Sequence, residues 1–361
     1  MARARSAAFV VALSGMSLAI GACGEEPQPA EPAAAGGELA AISEYLTAHS
    51  VDLAEQTEIM RAEGERYYEL AESVDFDYRA LMRDHGDEVE AILERSKEAF
   101  SAANPAYEEM EGIVAGVPSL AQYDVDIDAG SDASDPENAV SFSLELPDGE
   151  VLKQPGNAFF ITETALYGTN PDFLADGVAQ DLDRDGREKF GEGIPDANVY
   201  VAMVRKFDEL ADQLDADAQG FQPTPSDAFT AVTVMTPTMS EYFEAWKNSR
   251  FVAGEKATET AFVDRSRLAD IVDILEGVAF TYDEIKPMIA EEAPQQAGQT
   301  ERELRDLLAF VEDLRDREAD GVKYTAEEAD TLGSEAQRRA EAIAGQVTQA
   351  AQRLGVELQD A

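Results

Sequence analysis

The chain has 361 residues and carries 74 acidic against 28 basic side chains, a formal net charge of −46 at pH 7. A surface this negative repels the phosphates of nucleic acids, so we exclude a nucleic-acid-binding protein. One cysteine and two histidines exclude a disulfide framework and the common structural zinc sites, while the hydrophobic content of 44% is enough for a folded core.

The first 22 residues are predicted to be a lipoprotein signal peptide. Two arginines precede an apolar segment, Ala7 to Ile20, that is too short to span a bilayer stably. The small residues that follow lead to Cys23, an arrangement that resembles the lipobox of bacterial lipoproteins, so we expect Cys23 to carry lipid. An ordinary signal peptide with an incidental cysteine is the alternative. Residues 23–37, rich in proline, alanine and glutamate, are predicted to be a flexible tether.

A lipid on Cys23 would anchor the protein to a membrane on the extracytoplasmic side. We therefore expect a periplasmic location. No aspartate follows Cys23 directly, so in a Gram-negative cell the outer membrane is the expected destination. In that setting the excess negative charge is read in two ways. It is either a solubilising surface suited to high salt or a means of binding cations.

Most of the remaining chain is predicted to be amphipathic helix. Apolar residues recur at helical spacing in stripes that begin at Leu39, Tyr78, Val199, Leu268, Leu304 and Leu332. The pairs Thr300–Glu303 and Thr325–Glu328 are predicted capping boxes at two helix starts. A break near 219–226 divides the chain, which predicts an N-terminal helical bundle at 38–222 and a C-terminal one at 223–361. The fold class is therefore all-α, with two packed bundles.

Carboxylates are grouped in the N-terminal half. Glu108 and Glu111 are three residues apart, which places both on one face of a helix. A short acidic segment follows, in which every second residue is an aspartate: Asp124, Asp126 and Asp128. Further on, Glu163 stands alone in an apolar helical segment, an expensive place for an unpaired charge.

One segment departs from the helical pattern. Val140, Phe142 and Leu144 alternate with polar residues, and Pro147-Asp148-Gly149 can turn the chain. This pattern predicts a small β-hairpin inserted near 139–153.

The segment 181–192 fits the calcium-binding loop of EF-hands. Carboxylates alternate at Asp181, Asp183 and Asp185, Gly186 supplies the bend, Arg187 would donate its carbonyl oxygen, and Glu192 would close the loop. The usual apolar eighth position is Glu188, which argues against a paired EF-hand. The prediction is an unpaired Ca²⁺ loop, with a solvated acidic loop as the alternative.

The ordered segments resemble the imelysin-like family of bacterial periplasmic proteins, the EfeM/EfeO type tied to iron uptake. Tyr107 to Glu111 spells its Tyr-Glu-x-x-Glu motif, and Ile127-Asp128 its acidic turn. Phe160 to Glu163 stands at its His-x-x-Glu motif, and Gly254 to Lys256 at its later Gly-Glu-Glu segment. The resemblance extends loosely over 100–355. It implies two helical bundles, a periplasmic or lipid-anchored location, metal handling, and an iron permease or a peroxidase as partner.

One departure changes the expected chemistry. The histidine of the family motif falls on Phe160 in this chain, which leaves an oxygen-only ligand set. The resemblance places that set at Glu108, Glu111, Asp124, Asp128 and Glu163. Such donors suit Fe³⁺, Ca²⁺, Mg²⁺ or another hard cation, and a polar network that binds no metal is the alternative.

Three hypotheses for function remain. The first is a non-enzymatic binding protein for iron or divalent cations in metal uptake. The second is a structural or interaction lipoprotein stabilised by Ca²⁺ in the 181–192 loop. The third is the metallopeptidase that the family label suggests, for which His85 and Glu88 spell the one His-x-x-Glu sequence in the chain. We expect no enzymatic activity, because the Phe160 position lacks the imidazole of a catalytic zinc site.

Overall fold

Two long helices begin the part of the chain that the computed structural model describes, residues 39–359. Helix α1 spans Ala40–Ser73 and α2 spans Tyr78–Val114. The Asp77 side chain caps α2 by accepting hydrogen bonds from two backbone N–H groups of its first turn. The predicted signal peptide, Cys23 and the tether lie outside the described residues.

A compact linker follows α2. It contains α3 (Ala121–Asp124), a turn of π-helical geometry (Val125–Ala129), β1 (Ser143–Glu145) and β2 (Val151–Lys153). The two strands pair antiparallel with Leu144 opposite Leu152. This confirms the hairpin predicted near 139–153.

Two further helices complete the N-terminal half. Helix α4 spans Ala158–Tyr167, and α5 spans Ala197–Gly220. The Asn157 side chain caps α4 by accepting from the backbone N–H of Phe160 at 2.7 Å. The acidic segment 181–192 lies in the loop between α4 and α5 and has no regular secondary structure.

The main elements of the C-terminal half are all helices. These are α6 (Pro225–Met235), α7 (Met239–Asn248), α8 (Arg250–Ala253), α9 (Arg267–Glu292), α10 (Pro294–Ala319) and α11 (Ala326–Leu354). The all-α class with a small hairpin is confirmed. The boundary near 222 stays a prediction, since residues 39–359 fall within one compact unit.

One predicted capping box is confirmed and the other is wrong. Thr325 and Glu328 form a reciprocal capping box at the start of α11. Thr300 is instead buried inside α10, which begins at Pro294, where the fixed φ of proline favours a helix start. The Thr300 hydroxyl donates to Oε1 of Gln346 on α11 at 2.8 Å. It therefore joins two helices rather than starting one.

The helices pack in an order that brings α2 and α9 together. Helix α1 contacts α2 and α5, while α9 contacts both α2 and α10, and α11 contacts α7. A Cβ at Gly277 of α9 would overlap the carbonyl oxygen of Glu109, so this glycine permits the close approach of α9 to α2. Within residues 39–359, no helix is both long and apolar enough to cross a membrane.

Candidate metal centre

A cavity of about 630 Å³ lies among α2, α4, α7, α9 and the π-helical turn. Its lining includes the aromatic residues Phe160, Tyr242 and Phe262. It also includes five carboxylates: Glu111, Asp124, Asp128, Glu163 and Asp270. The cavity is much larger than a bare ion, and its volume falls in the range of ordinary ligand pockets.

Three buried carboxylates form a cluster beside this cavity: Glu108, Glu111 and Asp128. Each offers one oxygen, and these oxygens all lie within 4.8 Å of one another. The two glutamates project from one face of α2, as their spacing predicts, while the π-helical turn brings Asp128 to them. We call these three residues the carboxylate cluster.

The two glutamates of the cluster each leave one oxygen unpaired. Oε1 of Glu108 accepts from Asn104 at 3.2 Å and from Arg267 at 3.3 Å. Oε1 of Glu111 accepts from the hydroxyl of Tyr242 at 2.8 Å. The Oε2 atoms of both are buried without a hydrogen-bond partner. Because a buried, unpaired carboxylate oxygen is unfavourable, each of these atoms calls for a proton or a cation.

Arg267 is the basic residue that meets the cluster. Its Nη1 lies 3.3 Å from both Glu108 and Asp270, and its Nη2 lies 3.7 Å from Asp128. The guanidinium carbon lies 4.1 Å from the ring centre of Phe262 and 4.6 Å from that of Tyr242. The sequence singled out no role for Arg267 or Asp270. The sequence feature that could have drawn attention to them is their position in the first turn of α9, directly after the N-cap Ser266.

Burial raises the pKa of every carboxyl in the cluster. It raises the pKa of Glu111 to about 7, with the neighbouring charge of Asp128 adding to the effect. It raises the pKa of Glu108 well above the usual range, where Asp270 adds to the effect and Arg267 opposes it. It also raises the pKa of Asp128 against the opposing charge of Arg267. Protons and cations therefore compete for the same oxygens.

Glu163 lines the cavity but is bound differently from the cluster. Its two carboxylate oxygens accept from the backbone N–H groups of Phe262, Val263 and Asp264 at 2.7, 2.8 and 3.0 Å. Burial raises its pKa to about 8, although these donors pull the pKa down. Glu163 holds the loop before α9 in place, and with it the start of α9.

The other two aspartates of the acidic turn also have protein partners. Asp124 lines the cavity and accepts from the hydroxyl of Tyr107 at 2.8 Å. Asp126 accepts from the backbone N–H and the hydroxyl of Ser141, both at 2.6 Å. Of this turn, the structure therefore brings only Asp128 into the carboxylate cluster.

The aromatic ring of Phe160, the residue that the sequence resemblance places at the histidine of the His-x-x-Glu motif, lines the cavity. Phe160 is half-buried and contacts Phe173 edge-to-face. Among the described residues that line the cavity, none is a histidine. His85 and Glu88 are not part of this wall either, so the chain's own His-x-x-Glu sequence lies apart from the cluster.

In the acidic loop 181–192, the carboxylates surround the ammonium group of a lysine from the same loop. Asp181, Asp183 and Asp185 each offer an oxygen within 4.8 Å of the others, and Gly186 bends the chain with φ of 86°. The ammonium of Lys189 lies 2.8 Å from Asp183 and Asp185 and 3.0 Å from Glu192. Lys189 thereby holds the pKa of Asp183 at about 2. The calcium site stays a prediction, and a bound Ca²⁺ would compete with Lys189.

Comparison with known protein families identifies the family of this chain. The family model described as imelysin, peptidase M75, matches residues 66–353. This range includes the carboxylate cluster, Phe160, Glu163 and Arg267. No curated protein matches the chain.

Proposed function

The chain belongs to the imelysin family, and from that premise we propose that it is an extracytoplasmic, lipid-anchored protein that binds iron or a divalent cation as cargo and catalyses no reaction. The observation that carries this proposal is the carboxylate cluster. Its Glu108 and Glu111 each present a buried Oε2 atom without a protein partner. Two such atoms on adjacent turns of one helix favour a shared positive ligand.

The chemistry of the donors supports a hard cation. Glu108, Glu111 and Asp128 offer only oxygen, which suits Ca²⁺, Mg²⁺, Mn²⁺ or ferric iron better than softer metals. Asp124 lies on the same wall and adds negative charge. These donors fit a cation, because each glutamate keeps one oxygen free after its protein hydrogen bond is made.

The same donor set supports a binding role rather than peptidase chemistry. Catalytic zinc sites in peptidases combine imidazole and carboxylate ligands around an open position. Phe160 supplies an apolar ring to this cavity where the family motif has histidine.

The location and partner belong to the proposal as well. A lipid on Cys23 would hold the folded part at a membrane surface, beyond a proline-rich tether. An iron permease or a peroxidase in that membrane system is the expected partner, as family membership suggests. Labelling with a radioactive fatty acid, lost in Cys23→Ala, would test the anchor.

Calorimetry on the full chain in detergent tests the cation site. We expect Ca²⁺ and soluble Fe³⁺ to bind, and Glu111→Gln to remove the tightest phase, because Gln keeps the Tyr242 hydrogen bond and loses the charge. The matched control is Glu98→Gln, an exposed residue on the same helix. Equal binding by the wild type and Glu111→Gln would contradict the proposal.

A further inference from the structure

Arg267 is held beside the carboxylate cluster by ion pairs and by aromatic rings. Its side chain is 5% exposed and pairs with Glu108, Asp128 and Asp270. Two aromatic rings, those of Phe262 and Tyr242, cover its guanidinium. Moving Arg267 away would break three ion pairs and two cation–π contacts, so its charge stays where the structure has it.

This charge is permanent. A guanidinium does not lose its proton in proteins, whereas the carboxylates around it titrate. Arg267 therefore contacts two of the three cluster residues with a positive group at every accessible pH. Any cation that binds the free oxygens of Glu108 and Glu111 is repelled by Arg267, and the repulsion grows with the charge of the cation.

We propose that Arg267 is the residue that determines cation specificity at the carboxylate cluster, and that it favours divalent over trivalent ions. This inference rests on the proposed function, since it concerns the same site. The energy of a charge–charge interaction is proportional to the charge of the ion, so Arg267 repels a trivalent ion half as strongly again as a divalent ion at the same position. Its presence therefore lowers the affinity for trivalent ions more than the affinity for divalent ions.

The test compares Ca²⁺ with Tb³⁺, two oxygen-seeking ions of similar size that differ in charge. Both are titrated into the full chain at fixed pH and salt, and the part of the signal that Glu111→Gln removes is assigned to the cluster. In Arg267→Met we expect the preference for Tb³⁺ over Ca²⁺ to rise about tenfold or more, as expected when a charge a few ångströms away is removed. Arg267→Lys retains the charge and should retain the wild-type preference.

Two further variants separate charge from structure. Arg265→Met removes an arginine that lines the same cavity but pairs with Asn104 and Asp273 rather than with a carboxylate of the cluster, so the preference should change less than in Arg267→Met. The double variant Arg267→Met with Asp270→Asn removes one positive and one negative charge together. It should return the preference toward the wild-type value, and it leaves one fewer buried carboxylate without a partner than the single variant does, so it serves if the single variant fails to fold.

Each outcome decides one of the two claims. If both ions bind the wild type and Arg267→Met has the same preference, the specificity role is wrong and the cation site stands. If neither ion gives a signal that Glu111→Gln removes, in the wild type or in Arg267→Met, the cation site itself is wrong. If only Arg267→Met binds, Arg267 is confirmed as the determinant and the proposed function of the wild type is overturned.

Discussion

Nη1 of Arg267 lies 3.3 Å from Oε1 of Glu108, and neither side chain is more than 5% exposed. This pair joins the first residue of α9 to α2 across 159 positions of sequence. Breaking a buried ion pair from one side leaves the other charge uncompensated, which typically costs about 3–5 kcal/mol. The pair therefore fixes the geometry of the site, and removal of either partner should destabilise the chain.

The Arg267→Met variant should lose more stability at pH 8 than at pH 5. At pH 5 the remaining carboxyls can take up protons, because burial raises the pKa of Glu108 and brings that of Asp270 to about 6. At pH 8 they are forced to ionise without a partner, and the loss approaches about 4 kcal/mol. Urea denaturation at both pH values measures this, and an equal loss at both would contradict it.

Without cations, the wild type should become less stable as the pH rises from about 4.5 to 7. Glu111 ionises at its ordinary pKa of 4.5 when unfolded, but at about 7 in the folded chain. In that window the folded state binds more protons, so the free energy of unfolding falls with rising pH, by on the order of 3 kcal/mol for this group. Urea titrations with a chelator measure the slope.

The control for that slope is Glu111→Gln, which has no carboxyl to titrate at this position. Its pH dependence should be shallower, and an identical slope in both proteins would show that general repulsion on the acidic surface is the cause. Added Ca²⁺ should reverse the loss at pH 8 in the wild type, because the cation replaces the proton at the cluster.

Phe160→His should give the cavity a ligand for transition metals. Imidazole beside oxygen donors raises affinity for Zn²⁺ far more than for Ca²⁺. Phe160 is half-buried on the cavity wall, so the smaller ring should be accommodated. Calorimetry should show about tenfold tighter Zn²⁺ binding or more, with Ca²⁺ unchanged. Phe160→Leu is the size control, and a gain in that variant would count against the interpretation.

The acidic loop should bind Ca²⁺ more tightly once Lys189 is removed. Its ammonium contacts Asp183, Asp185 and Glu192, so a cation must displace it. We expect Ca²⁺ to raise the melting temperature of Lys189→Met at lower concentration than that of the wild type, where affinity should be about 10⁻⁴–10⁻³ M. Asp181→Ala with Asp183→Ala should abolish the rise, and an unchanged melting curve in Lys189→Met would refute the loop site.

Gly277→Ala should destabilise the chain through the α2–α9 contact. The added methyl group would overlap the backbone carbonyl of Glu109, next to Glu108 of the cluster. Overpacking of this kind costs about 1–3 kcal/mol. Gly345→Ala on α11 is the matched control, because nothing lies within 4 Å of that position. It should be neutral or stabilising by up to about 1 kcal/mol, since alanine favours helix. Equal melting temperatures for the two variants would contradict the conclusion that Gly277 permits the close approach of α9 to α2.

Local patterns in the sequence were enough to predict that the chain is mainly helical, that it contains a small hairpin and that Thr325 and Glu328 form a capping box. Apolar spacing and turn residues act over a few positions, so Thr325 and the Pro147–Gly149 turn could be interpreted without knowledge of the fold. The capping box predicted at Thr300 was wrong because the role of this residue depends on a contact that is distant in sequence. A hydrogen bond to Gln346 on another helix explains that residue, and no local pattern reveals it.

The sequence by itself determined which carboxylates share a helix face, because Glu108 and Glu111 are one helical turn apart. It also indicated, through the family resemblance, that Phe160 stands where the motif has histidine. Only the tertiary structure decided that Glu163 binds three backbone N–H groups. It alone placed Arg267 among the carboxylates, for that placement follows from α9 packing against α2. Charges far apart in sequence meet only when the helices that carry them pack together.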